Sequence, residues 1–420
     1  MAAERIVVTG LGALTPIGAT AAESWQALLL GATGAVRLTE PWVAEITSQI
    51  AARVTVDPTQ VIGRVTARRL DRSAQLGLVA ALEAWRHAGL PKPGDPDGVP
   101  PERLGVVFGA GIGGLTTVME QHNIVRERGP QRMNPLTVPM IMPNAPAAAV
   151  GLELGARAGV HAPVSACATS AEAIAMAASM LNEGRADVVV AGGTEAVINE
   201  IAMAAFAAMR ALSTRNDDPG HASRPYDIDR DGFVLGEGAG ALILEREGHA
   251  RARGAVCYGV VAGWGMSADA HHIAAPDPDG VGAAAAMTAA LRSAGADPAD
   301  VVHVSAHATS TPLGDLAESR AIRRALGAAA DSAAVSAPKS QIGHLLGGAG
   351  AVEAVLALCA LRDCLAPGTR NIVTLDPAVD IDVVRGEARE LSATRTRSGL
   401  ALSNSFGFGG HNVSLAFSLA

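Results

Sequence analysis

Short stretches of this chain recur, in the same order, in its two halves. Residues 7–12 read VVTGLG and residues 260–265 read VVAGWG; residues 164–167 read VSAC and residues 335–340 read VSAPKS. Residues 106–111, VVFGAG, match residues 302–307, VHVSAH, more loosely. Ordered self-similarity is the mark of a duplicated unit. Around the echoes, β-branched runs alternate with alanine-rich stretches, the pattern of buried sheets covered by helices. Strands are predicted over 6–9, 105–108, 187–191, 240–244, 258–262, 301–305 and 334–336, and polar, Pro/Gly-rich loops over 89–102 and 214–232. Two α/β halves, 1–255 and 256–420, account for the length of 420 residues.

Composition narrows the function. Aromatic residues make up only 3% of the chain against 49% hydrophobic, so the core must be built from Ala, Val, Leu and Ile, and platforms for stacking nucleic-acid bases are missing. A net charge of −8 argues against a general nucleic-acid binder. The four cysteines, Cys167, Cys257, Cys359 and Cys364, contain no CxxC pair and read as reduced and intracellular. The first residues run straight into Ile6-Val7-Val8 with no basic-then-apolar leader, so no signal peptide is expected. The most apolar helical stretches, 201–212 and 349–361, are short for a membrane span and carry Arg210 and Glu353. A cytoplasmic protein without membrane insertion is expected.

Four stretches carry reactive side chains. PVSACATS, residues 163–170, places Cys167 between a strand ending over 161–166 and a helix predicted over 168–181, with Gly184 as its stop. That helix is apolar nearly all round, so it is buried. Free backbone N–H groups and the positive end of its dipole favour a thiolate at Cys167; the same residue also reads as a small buried hydrophobe. VSAHATSTPLGD, 304–315, offers His307 and then Thr309, Ser310 and Thr311, either a reactive histidine or a capping cluster. APKSQIGHLLGGAGAVEA, 337–354, holds Lys339 and His344 ahead of an apolar helix, and a lysine there needs a partner. SNSFGFGGHN, 403–412, taken alone is a glycine-rich loop.

Two features point elsewhere and are set aside. GAGIGG, 109–114, fits the spacing of a dinucleotide loop, but no second strand ending in an acidic residue follows it. His271 and His272 are neighbours without a further ligand at metal spacing and read as two satisfied histidines.

Together the four stretches, with STRNDDPGHASRPYDIDRDGFVLGEGAG at 213–240, resemble a β-ketoacyl-[acyl-carrier-protein] synthase of the elongating, type II kind, with an actinobacterial flavour. The resemblance spans essentially the whole chain. It implies the thiolase fold, an α/β fold of duplicated halves in five layers, α-β-α-β-α, and a homodimer. It implies a decarboxylative Claisen condensation of malonyl-carrier protein with a cysteine-bound acyl chain. By resemblance Cys167 is the nucleophile and His307 and His344 are the catalytic histidines. Lys339 is the motif lysine, and Phe408 is the gating residue whose N–H, with that of Cys167, forms the oxyanion hole. Phe406 neighbours it, Thr309 and Thr311 hydrogen-bond the phosphopantetheine arm, and Glu318 is a buried acid behind the site. Both histidines would donate through Nε2 to the enolate oxygen. No cofactor and no metal is implied, since the substrates ride on the phosphopantetheine of an acyl carrier protein.

That carrier is acidic, so an enzyme of charge −8 needs a local basic patch to dock it. Arg68, Arg69, Arg132 and Arg210 match basic positions around the family's tunnel mouth. Two residues depart from the family pattern: Ala308 and Ser170 both stand where many members have glycine. Alanine also occurs at the first position in actinobacterial relatives. At the second, a left-handed or closely packed backbone would make serine cost about 1 kcal/mol. A chain-length-factor partner lacks the cysteine, and a starter-type condensing enzyme has asparagine for the second histidine. The alternative class is a non-catalytic or partner-dependent carrier-binding subunit of a polyketide system.

Overall fold

The computed structural model describes residues 4–92, 94–95 and 98–420; the first three residues of the N-terminus and positions 93, 96 and 97 of the loop predicted over 89–102 lie outside the described residues. Ten strands form the main sheet: β1 (Ile6–Leu14), β2 (Leu104–Ala110), β3 (Gly159–His161), β4 (Val188–Glu195), β5 (Gly238–Arg246), β6 (Gly259–Ala268), β7 (Val301–Ser305), β8 (Ala334–Ser336), β9 (Leu400–Gly407) and β10 (His411–Ser418). Their order is β8-β7-β9-β10-β6-β1-β5-β4-β2-β3. Cut between β6 and β1, this is one five-strand order written twice, with β6–β10 standing for β1–β5. The parallel and antiparallel pairings repeat as well. The halves join through three antiparallel residue pairs, Ile6↔Val261, Val7↔Val260 and Val8↔Gly259.

Six helices complete the repeat: α1 (Arg72–His87), α2 (Ala145–Leu154), α3 (Thr169–Asn182), α4 (Val281–Ala294), α5 (Pro312–Leu326) and α6 (Ala349–Asp363). α1 and α2 share an apolar core with the outer face of the first five strands, and α4 and α5 do so with the second five. α3 and α6 lie between the two five-strand halves of the sheet and share a core with strands of both. The predicted five layers follow. Every residue of α6 from Ala349 to Leu361 is buried, which explains why this helix has no polar face.

The echoed glycines have a packing role. A Cβ at Gly10 or Gly12 on β1 would sit 2.2 or 2.1 Å from the carbonyl oxygens of Ala84 and Ala80 in α1. At Gly263 and Gly265 on β6, it would sit 2.5 and 2.1 Å from those of Ala290 and Ala286 in α4. The repeat therefore preserves the points where a helix backbone rests directly on a strand.

Several expectations shift. The strand before Cys167 stops at His161 rather than 166, and the helix starts at Thr169 after a 3-10 turn over Ala166–Ala168. Of the second echo, Val335 and Ser336 lie within β8, whereas Val164 and Ser165 lie past the end of β3. Residues 403–412 are not just a loop: they form the tip of the β9–β10 hairpin. β9 has no β-branched residue, and its pairing with β7 and β10 decides its conformation. Among the described residues no helix is long and apolar enough to cross a membrane.

Candidate active site

The ends of β2, β4 and β7, the hairpin tip and the N-terminal ends of α3 and α6 surround a cavity of about 580 Å³. Cys167 lines it and is 6% exposed. The preceding Ala166 is held at φ +51°, a conformation that non-glycine residues adopt only when the surroundings enforce it. The hairpin passes closely enough that a Cβ at Gly407 would be 2.6 Å from the Ser165 carbonyl oxygen and 3.1 Å from the Cys167 nitrogen. That approach directs the backbone N–H of Phe408, along with the N–H of Cys167 itself, at the thiol. The two groups assigned by resemblance to an oxyanion hole therefore converge at the sulfur.

His344 Nε2 stands 3.1 Å from Cys167 Sγ. The His307 and His344 rings lie edge to face with centroids 5.3 Å apart, Phe233 presents its edge to His344 at 5.3 Å, and Phe406 lies 5.9 Å from His307. Burial, and then the Lys339 ammonium, hold both imidazoles well below their ordinary pKa, so both are neutral at physiological pH. Nδ1 of each ring is buried without a hydrogen-bond partner among the described residues, so no such bond fixes the tautomer.

The thiol departs from expectation. Burial pushes Cys167 up to about 12, against the downward pull of Lys339 and of the N–H groups of Phe408 and Cys167. In the empty cavity desolvation outweighs the helix terminus, and the resting residue is a thiol rather than a thiolate. The nearest base able to take its proton is His344 Nε2.

Lys339 does not line the cavity. It is 1% exposed and its Nζ is paired with Glu353 in the second turn of α6. It acts on the cavity through its field rather than by contact. Glu318, in α5, accepts the backbone N–H groups of His307 (2.8 Å) and Ala308 (2.7 Å) and the side-chain amide of Asn404 (3.3 Å), which fixes the histidine loop. Ala308 sits at φ +21°, where the family's glycine would be at less steric cost. Thr309 and Thr311 both line the cavity, their hydroxyl oxygens 3.1 Å apart.

Ser170 is not strained. It lies within α3, fully buried, and its Oγ accepts the N–H of Ala351 at 2.9 Å. A serine in place of glycine thus satisfies one of the free donors in the first turn of α6, and the expected cost does not arise. Arg68, Arg69, Arg132 and Arg210 are all exposed. Only Arg210 lines the cavity; Arg68 and Arg69 follow the helix Thr59–Ala67, and Arg132 ends a short 3-10 turn.

Sequence reasoning missed Phe233, Asn404 and Glu195. The first lay inside a quoted motif but carried no chemical signal of its own. Glu195, the last residue of β4, accounts for the GAGIGG turn: its carboxylate accepts N–H groups from Gly111, Ile112 and Gly113. The turn that fits a phosphate loop is occupied by the chain's own carboxyl group, which burial pushes up to about 7 against the downward pull of those N–H groups. His272 accepts N–H groups from Ala274 and Ala275 through Nδ1, as a satisfied histidine should. Among the described residues no cluster of His, Cys, Asp and Glu is arranged to hold a metal.

Known proteins resemble this chain in sequence and fold. Residues 3–250 match the family described as Beta-ketoacyl synthase, N-terminal domain, and residues 258–373 the Beta-ketoacyl synthase, C-terminal domain. A 3-oxoacyl-[acyl-carrier-protein] synthase 2 of Synechocystis sp. is 44% identical over 99% of this chain and 98% of its own. A solved β-ketoacyl synthase from Burkholderia phymatum is 33% identical with a TM-score of 0.90, covering 99% of this chain and all (100%) of that one. The ketosynthase of a type II polyketide system, solved with its acyl carrier protein and bound to a hexaketide, is 29% identical with a TM-score of 0.89, covering 99% and 100% of the two chains. With both family halves matched in order, and a cysteine facing a histidine pair where the two halves meet, the chain belongs to the β-ketoacyl synthase family.

Proposed function

We propose that this protein is a 3-oxoacyl-[acyl-carrier-protein] synthase of the chain-elongating kind, serving fatty acid synthesis. The observation that carries this reading is the convergence of Cys167, His344 at 3.1 Å, His307 and the Phe408 N–H on one cavity. The relatives at 42–44% identity carry that enzyme's name.

In the first step the Cys167 thiol attacks the acyl thioester. Its proton passes through His344 Nε2 to the departing phosphopantetheine thiol, and the acyl group stays on sulfur. The N–H groups of Cys167 and Phe408 stabilise the tetrahedral oxyanion. In the second step the carbon–carboxylate bond of malonyl-carrier protein breaks, CO2 leaves, and the electron pair becomes an enolate. His307 supplies an N–H from Nε2 to its oxygen; His344, whose Nε2 is bare after relaying the thiol proton, supplies a second in its other neutral tautomer, which no hydrogen bond at Nδ1 opposes, and the depressed pKa values keep both rings uncharged. The carbanion attacks the Cys167 thioester, the sulfur leaves and is reprotonated, and 3-oxoacyl-carrier protein results. No electrons are exchanged with an outside acceptor, so the reaction as written needs no redox cofactor, and N–H groups of the chain meet the charge on each oxyanion.

The partner is an acyl carrier protein, as in the polyketide ketosynthase complex. A homodimer is supported by β3, an edge strand of the sheet, and by exposed apolar residues on and just after it and in the segment 133–142: Val160, Val164, Met133, Leu136, Val138 and Met142. Four free cysteines suit a cytoplasmic enzyme.

The test is mass spectrometry after incubation with acyl-carrier protein, followed by a condensation assay with malonyl-carrier protein. The acyl group is expected on Cys167; its appearance on Cys257, Cys359 or Cys364 would overturn the assignment. Cys167→Gln should lower condensation at least about a thousandfold while keeping malonyl decarboxylation, because the amide resembles an acylated thiol and both histidines remain. Loss of both reactions would favour a carrier-binding subunit without independent chemistry.

A further inference from the structure

Glu195 is a buried carboxylate on the cavity wall that the condensation does not use. It is fully buried, yet no ion pair links it to a cation among the described residues. Instead it is ringed by backbone. Oε1 accepts the N–H groups of Ile112 (3.2 Å) and Gly113 (3.4 Å), and Oε2 those of Gly111 (2.9 Å) and Gly347 (3.2 Å). The first three donors belong to the loop after β2, in the N-terminal half. The fourth belongs to the glycine-rich turn Leu346–Gly348, which connects His344 to α6 in the C-terminal half.

Backbone approaches backbone where the two segments meet. A Cβ at Gly347 would lie 2.4 Å from the Gly111 nitrogen and 2.9 Å from Glu195 Oε2; one at Gly111 would lie 2.7 Å from Oε2 and 3.3 Å from the Ala166 carbonyl oxygen. The carboxyl group is the one side chain that accepts hydrogen bonds from both segments among the described residues. Each segment also supplies a cavity-lining apolar residue, Ile112 from one and Leu346 from the other, and Leu346 shares an apolar cluster with Cys167, Phe233 and Phe206. Leu346 is held at φ +46°, so the turn is not in a conformation that its own sequence prefers.

We propose that Glu195 is a positioning residue for acyl recognition: it locks the Gly111–Gly113 loop to the Leu346–Gly348 turn across the domain boundary and so sets the shape of the apolar wall that an acyl chain on Cys167 meets. This rests on the reading of Cys167 as an acyl carrier. The carboxylate geometry is specific to the task. Its two oxygens each receive two donors from different directions, and all four donors are N–H groups, so any replacement that presents an N–H of its own opposes half of the ring. Of the glycines of GAGIGG, Gly111 is then explained by the close approach of backbone to the Glu195 carboxyl group, whereas Gly109 packs against Thr169 and Pro163, and Gly113 and Gly114 pack against the segment 140–143.

The experiment compares full-length wild type with Glu195→Gln, using acyl-carrier proteins of increasing chain length. The readout is the ratio of kcat/KM for long against short chains. The glutamine amide repels two of the four donors, so the loop and turn separate, and the ratio should change by threefold or more, mainly through KM. A uniform loss at every length, with a lowered Tm, would show a structural brace only and overturn the proposal. If Glu195→Gln does not fold, Glu195→Asp, which keeps the charge but falls one methylene short, is read in the same way. A second readout separates failure of this inference from failure of the proposed enzyme activity: the labelling rate of Cys167 by N-alkyl iodoacetamides of increasing tail length needs no turnover. A length profile that shifts in the variant supports the positioning role even if no condensation is found. An unshifted profile overturns it even if condensation is normal.

Discussion

The two halves share a strand order, a pair of outer helices and a buried central helix, but the residues placed at equivalent points differ in kind. Ahead of α3 stands Cys167 in a turn of small residues; ahead of α6 stand Lys339, His344 and a glycine-rich turn. The loops after the equivalent strands β2 and β7 are both held by a buried glutamate that accepts backbone N–H groups. One loop presents Ile112 to the cavity and the other presents His307. Duplication thus explains why two helix N-termini and two anchored loops meet at one place. It does not explain why the N-terminal half carries Cys167 while the C-terminal half carries the histidine pair His307 and His344. The scaffold provides the positions and a few side chains decide the chemistry.

The strongest way to break this comparison is to remove the donors. His307→Ala and His344→Ala should each lower malonyl decarboxylation by about 10²–10³, the usual cost of losing one donor to a developing oxyanion. The two should part company in acyl transfer. His344 Nε2 is the base at 3.1 Å from the sulfur, so His344→Ala should also slow acylation of Cys167, while His307→Ala should leave it nearly intact. Because burial raises the thiol to about 12, the thiolate fraction grows tenfold per pH unit below that value, and iodoacetamide labelling of the wild type should climb through pH 9 without a plateau. Equal acylation in the two histidine variants, or an early plateau, would mean that the helix terminus alone prepares the sulfur.

A smaller effect tests the seam between the two central helices. Ser170 Oγ on α3 accepts the Ala351 N–H of α6. Ser170→Ala leaves that buried donor unsatisfied and should cost about 1–3 kcal/mol in urea unfolding. No loss of stability would mean that another acceptor replaces Oγ and that the seam does not depend on this serine.

The smallest effect lies at the surface. Charge reversal of Arg68 and Arg69 together should raise KM for carrier-bound substrate several-fold and flatten its salt dependence, since exposed pairs contribute about 1 kcal/mol or less each and are screened. Turnover of a small pantetheine thioester should hardly change. Equal loss for both substrate types would place the arginines in the fold or the cavity rather than in docking.

Much of this was legible in the chain. The ordered echoes announced a duplication because a glycine on which a helix backbone rests cannot be replaced without pushing the helix away, as Gly10 and Gly263 illustrate. The all-apolar helix over 349–361 announced its burial for want of a polar face. The motifs around Cys167, His307 and His344 named the reactive side chains because their chemistry belongs to the residue type. What stayed illegible depends on distant neighbours. β9 reads as a loop until β7 and β10 pair with it. Ser170 reads as a misfit until Ala351, 181 residues away, offers its N–H. Glu195 carries no motif at all, since its partners are backbone groups from two remote loops.

The sequence by itself therefore determined the repeat and the buried central helices, both set by local pattern, and its motifs singled out Cys167, His307 and His344 as candidates. Only the tertiary structure decided the protonation of those groups and the shape of the cavity around them. Burial overrides the helix terminus at Cys167, Lys339 turns inward to Glu353 instead of toward substrate, and one carboxylate joins the two halves. Desolvation and backbone approach are properties of what surrounds a residue, and the chain assembles those surroundings only when it folds.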